Sequence, residues 1–90
     1  MNEQEIYLKE KQTQLHKYEL KLVELKNLTS EFDADANRKL YKQIDSLELK
    51  LKEAKTKLES FAKARKEEIE AYKKAIDETF IAININLSMS

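Results

Sequence analysis

The 90-residue chain contains no glycine, no proline, no cysteine and no tryptophan. Glycine supplies left-handed backbone positions and proline supplies rigid bends, and sheets and tight loops depend on both. Their joint absence nearly excludes a globular α/β fold and leaves long helices with few connections. Without cysteine there is no disulfide and no thiolate metal site. An excess of one charge is lacking too, since 17 Lys and Arg balance 17 Asp and Glu. Such a surface offers no field for nucleic acid, whose binding depends on neutralising phosphates. No apolar run approaches the roughly 18 residues of a membrane span. The start, "MNEQEIYLKEK", lacks the apolar segment of a signal peptide. These features predict one cytoplasmic, all-α domain.

What is present lies in stripes. Leu8, Leu15, Tyr18, Leu22, Leu25 and Thr29 recur at spacings of three and four, the mark of one helix face. Lys11 interrupts them. A more regular heptad seam follows in Leu40, Ile44, Leu47, Leu51, Ala54, Leu58 and Phe61. Beyond it the steps lengthen to eleven, from Leu58 to Ile69 to Phe80 and from Phe61 to Tyr72 to Ile83. An eleven-residue repeat suits a nearly straight helix. Off the seams, Glu48 and Lys52, Glu53 and Lys57, Glu59 and Lys63, and Glu70 and Lys74 stand four apart. Each pair supports an exposed helix surface by about 0.3–0.5 kcal/mol.

The weak helix formers cluster in "TSEFDADAN", residues 29–37, where Ser30, Asp33 or Asp35 could cap a new helix. Phe32, Ala36, Leu40 and Ile44 are spaced by fours, as in an unbroken helix. A single helix of about eighty residues would be ~120 Å long and leave its stripe bare. The expectation is therefore an antiparallel helical hairpin (coiled coil): helix about 3–30, connection about 31–36, longer helix about 37–82, uncharged tail 84–90. Its seam residues are Leu15, Tyr18, Leu22, Leu25, Leu40, Ile44, Leu47, Leu51, Leu58 and Phe61.

On that hairpin the first helix is too short to cover all of the second. Tyr72, Ile76, Phe80, Ile83 and Leu87 are then a bare stripe for association, which predicts a homodimer or another helical protein as partner. The alternative is a sharp bend near residues 62–67 that folds the end back as a third helix. The tail "FIAININLSMS", residues 80–90, alternates apolar and polar like a strand, yet no partner strand exists. At helical spacing it continues the stripe. Ile, Asn and Ser are mediocre helix formers, so the helix is expected to end between residues 82 and 86. Ile81, Ile85 and Met89 are then left open to a partner.

Certain stretches resemble a family. "YLKEKQTQLHKYELKLVEL" (7–25), "ADANRKLYKQIDSLELKLKEAKTKLESF" (34–61) and "IEAYKKAI" (69–76) are similar to short, uncharacterised bacterial coiled-coil proteins, some labelled stress-response after a cyanobacterial member. The resemblance rests on Tyr7, Gln14, Leu15, Tyr18, Ala34 to Ala36, Gln43–Ile44, Glu53–Ala54 and Lys57–Leu58. A family tryptophan is Ile69 here, and the amphipathic family C-terminus is replaced by the uncharged tail. The resemblance implies a helical, non-enzymatic protein.

Candidate chemistry is sparse. Asp33-x-Asp35-x-Asn37 opens like a calcium loop, but the required glycine and glutamate positions hold Arg38 and Ile44. His16, the single histidine, has no second ligand or triad partner in the sequence. Asn27-Leu28-Thr29 and Asn86-Leu87-Ser88 match a glycosylation acceptor, which has meaning only after secretion. Lys11 and Arg65 interrupt the stripes; such residues either set register or snorkel. No catalytic set, cofactor, metal or small-molecule substrate is called for. The expected function is an interaction or scaffold module. The alternative is an amphipathic binder of lipid surfaces, against which stand the narrow seams and balanced charge.

Overall fold

The computed structural model describes residues 2–29 and 34–88, and of Ala36 the backbone alone. Helix α1 spans Glu3–Leu28, α2 Ala34–Ala62 and α3 Ile69–Ser88, with a 3₁₀ turn at Lys66–Glu68 before α3. Among the described residues there is no strand. The Asn2 side chain starts α1 by accepting the Glu5 N–H at 2.8 Å, and Glu3 and Glu5 place negative charge at the positive helix end. At the other end Thr29 donates both its N–H and its hydroxyl to the Lys26 carbonyl. Ser30 and the first half of the expected connection, Glu31, Phe32 and Asp33, lie outside the described residues, and α2 is already formed at Ala34.

The helices run up, down and up. Gln4 bonds the Phe61 carbonyl while Lys26 pairs with Glu48, so α1 and α2 are antiparallel. Lys57 meets Thr79 and Gln43 meets Asn86, which sets α3 antiparallel to α2. Tyr7 reaches Asp77 and Tyr18 reaches Asn84, so α1 and α3 are parallel. The molecule measures 50 × 20 × 17 Å, far short of a single extended helix.

The helix expected over 37–82 is thus two helices, and the bend near residues 62–67 is the arrangement found. Lys63 and Ala64 donate to the Ser60 and Phe61 carbonyls, closing α2 with tighter turns. Arg65 then turns extended, with φ −77° and ψ 157°. Its N–H donates to the Glu68 carboxylate at 3.0 Å, and the Glu68 N–H returns to the Arg65 carbonyl at 2.9 Å. Burial explains the bend. Folding back encloses Ile76, Phe80 and Ile83, each contributing about 1.5–3 kcal/mol. The few helical hydrogen bonds given up are worth about 1 kcal/mol net apiece.

The core has one layer from each helix: Leu15, Tyr18 and Leu25; Ile44, Leu47, Leu51, Ala54, Leu58 and Phe61; and Ile76, Phe80 and Ile83. Of the expected seam residues, all but Leu22 and Leu40 are buried, and those two are partly buried against the rest.

Candidate functional site

The C-terminal helix separates the two surfaces with most to offer chemically, its inner contacts and its outer face. Inward, Ile76, Phe80 and Ile83 repeat at four and three and pack into the α1–α2 groove, with Tyr72 and Leu87 partly buried beside them. The bare association stripe expected of these five residues is therefore not bare. Their own chain covers them, and the case for a dimer built on their exposure falls away.

Around that apolar strip runs a set of polar clasps. The Tyr7 hydroxyl donates to Asp77 Oδ1 at 2.7 Å and lies 3.2 Å from the Lys73 carbonyl. Burial pushes the Tyr7 hydroxyl well above its ordinary value, and the hydrogen bond to Asp77 and that carboxylate's charge add to the effect. Lys11 approaches Asp77 at 3.4 Å with its ammonium 5.4 Å from the Tyr7 ring centroid and 5.0 Å from that of Phe80. The Lys73 ammonium also lies over the Tyr7 ring, 5.3 Å from its centroid. The interruption at Lys11 is thus a snorkelling lysine whose charge is met by α3. Arg65, the other interruption, is exposed at the bend.

Further along, Gln14 donates to the Tyr18 hydroxyl at 2.7 Å, which donates in turn to Asn84 Oδ1 at 2.8 Å. On the α2 side the Lys57 ammonium donates to the Thr79 hydroxyl at 2.6 Å, and that hydroxyl donates to the Ala75 carbonyl. Nearer the end, Gln43 and Asn86 exchange side-chain amide hydrogens with each other's backbone carbonyls. Asn86 is only 6% exposed, and its Oδ1 is buried without a hydrogen-bond partner among the described residues. Polar residues inside a helical seam fix register at a cost in stability. Thr79, Asn84 and Asn86 were not legible as contacts in the sequence, where Asn84 and Asn86 formed the polar half of a strand-like alternation.

The tail also departs from expectation. Helix α3 continues to Ser88, past the end expected between residues 82 and 86, because Ile83, Asn86 and Leu87 are held against the other helices. Met89 lies outside the described residues. Ile81 and Ile85 do face outward, 58% and 59% exposed, one turn apart. Between residues 80 and 88 there is no charged side chain, so nothing ionic interrupts this face. Beside it an open groove of about 520 Å³ separates α1 from α3, lined by Lys17 and Lys21 on one side and Asn84 and Leu87 on the other.

The remaining candidates are dispersed. His16 is exposed on α1. Asp35 is exposed in the first turn of α2, Ile44 belongs to the core, and Asp33 is outside the described residues. Among the described residues no three His, Cys, Asp or Glu side chains converge as a metal site. No described helix is long and apolar enough to cross a membrane. Two acids of the expected charge pairs meet other partners: Glu48 reaches across to Lys26 at 2.7 Å, and Glu70 lies 3.9 Å from Lys73. Comparison with family models, with curated proteins and with solved structures found no match.

Proposed function

We propose that this protein is a non-enzymatic interaction module that works by helix pairing, with a second copy of itself or with a helical partner. One observation carries the reading: the outward Ile81 and Ile85, more than half exposed, on an uncharged helix surface whose inward side is already filled. Pairing such a face removes apolar surface from water at about 25 cal/mol per Å². Elsewhere on the bundle the exposed apolar residues Ile6, Leu20, Val23, Leu28, Tyr41 and Leu49 are interspersed with charges, as an ordinary solvated surface is. The resemblance to bacterial coiled-coil proteins supports the helical, non-enzymatic part of this reading.

The test is light scattering across a concentration series, for the natural chain and for a chain carrying Ile81→Lys and Ile85→Lys. Both positions are exposed, so the double variant is expected to keep its helical signal. The natural chain is expected to rise above 10.6 kDa with concentration in a way that reverses promptly on dilution, and the variant to lose that reversible rise. A natural chain that remains monomeric throughout, yet binds vesicles of anionic phospholipid through these two residues, transfers the function to lipid surfaces.

A further inference from the structure

The connection between α2 and α3, residues 63–68, reads "KARKEE". It contains no glycine, proline or β-branched residue, and no described residue of the chain has positive φ. All six are good helix formers. The apolar spacing also crosses the connection in phase, since Leu58 to Ile69 and Phe61 to Tyr72 are both steps of eleven, three turns of an uninterrupted helix. Arg65 nevertheless leaves helical geometry. Local sequence therefore favours one helix through this segment, whereas the tertiary contacts of α3 favour two.

A second copy of the chain satisfies both demands. We propose that the protein forms a dimer by exchanging α3: α2 and α3 join through residues 63–68, and each α3 packs on the α2 of the other copy. The occupant of the exchanged groove is the same sequence that fills it in the monomer. Ile76, Phe80 and Ile83 keep their burial, and the Lys57–Thr79 and Gln43–Asn86 hydrogen bonds become intermolecular. Exchange of an identical element is a low-cost route to a dimer for this reason. The antiparallel pairs 57 with 79 and 43 with 86 are centred within residues 64–68, so the dimer's twofold axis crosses the connection itself. Arg65 then faces Glu67 and Glu68 of the second copy, and Lys63 faces Glu70. These are pairs of opposite charge. The outer Ile81 and Ile85 point away in both forms, so the exchange is independent of pairing through that face.

The experiment refolds the natural chain at micromolar and at millimolar concentration and separates the products by size exclusion with light scattering. Two variants accompany it. Lys66→Pro places proline at the first position of the 3₁₀ turn, after an extended residue, where it fits the monomer. Inside a joined helix the same proline loses a hydrogen bond and clashes with the preceding turn, weakening the dimer about a hundredfold per chain. Arg65→Leu fills the polar seam position that lies between Phe61 and Ile69 in the joined helix, and is expected to enlarge the dimer fraction. The account expects a species of twice 10.6 kDa from millimolar refolding. It should persist on dilution, because reversal requires α3 to detach, and be absent from Lys66→Pro. Monomer alone from both the natural chain and Arg65→Leu overturns the exchange, whether or not the proline variant folds. A dimer equally populated in Lys66→Pro overturns it as well. So does a dimer that dissociates promptly on dilution and disappears with Ile81→Lys and Ile85→Lys, because that dimer belongs to the outer face.

Discussion

Gln43 on α2 and Asn86 on α3 each donate a side-chain amide to the other's backbone carbonyl, at 2.9 and 3.3 Å. The exchange anchors the last turn of the chain, and Asn86 occupies a position in the buried stripe that Leu or Ile would fill as readily. Its Oδ1 is left buried without a partner. Asn86→Leu is therefore expected to raise stability by about 1 kcal/mol and to loosen the register of α3. Chemical denaturation measures the first effect. Faster amide exchange in residues 80–88 would report the second. A marked loss of stability would mean that the asparagine is worth more than its unsatisfied oxygen costs.

Leu47 and Leu49 stand two residues apart on α2, one fully buried and one 59% exposed. Leu47→Asp places an unpaired carboxylate among the core side chains and is expected to cost more than about 4 kcal/mol. Leu49→Asp should change stability by about 0.5 kcal/mol or less. Melting curves of the two variants test the orientation of α2, and equal effects would show that its buried face is misplaced.

The Tyr7–Asp77 clasp carries a pH dependence. Unfolded, Tyr7 loses its proton near its ordinary value of 10.0; folded, it holds the proton to higher pH. Above that pH the unfolded chain binds fewer protons than the folded one, so stability falls as pH rises. Below it the contribution is fully present. Tyr7→Phe removes the hydroxyl and should flatten the alkaline decline relative to the natural chain, as followed by thermal melts between neutral pH and pH about 11. Parallel declines in both proteins would place the alkaline sensitivity elsewhere.

Ending the chain at Ile83 removes Asn84, Asn86 and Leu87, and with them the contacts to Tyr18 and Gln43. The truncated protein is expected to melt at a lower temperature and to lose helix beyond the residues deleted. An unchanged melting curve would make the last turns ornamental.

Much of this architecture is legible in the residues. Heptad spacing located the seam from Leu40 to Phe61, and the lack of glycine and proline excluded sheets. The bend at Arg65 is hard to read because its segment is composed of helix formers and keeps the apolar phase. Only the burial of Ile76, Phe80 and Ile83 against the other helices selects it, and burial is a property of the folded chain. The end of α3 is hard to read for a related reason: the weak helix propensity of residues 83–88 is outweighed by packing and by the Gln43–Asn86 exchange. Of the expected functional residues, Ile76, Phe80 and Ile83 of the stripe belong to the core and Tyr72 and Leu87 pack partly buried against it, while Ile81 and Ile85 are exposed as expected.

The central structural claim is that, in the monomer, α3 folds back onto α2 of its own chain. Because the chain has no cysteine, spin labels can be attached cleanly at Lys42→Cys and Ile85→Cys, both exposed positions. Their separation in the 10.6 kDa fraction, diluted into unlabelled protein, is the most direct measurement. Adjacent helices with axes 8–10 Å apart place the labels within about 20 Å of each other. A separation near 65 Å, the length of a continuous helix between the two positions at about 1.5 Å per residue, would contradict the account.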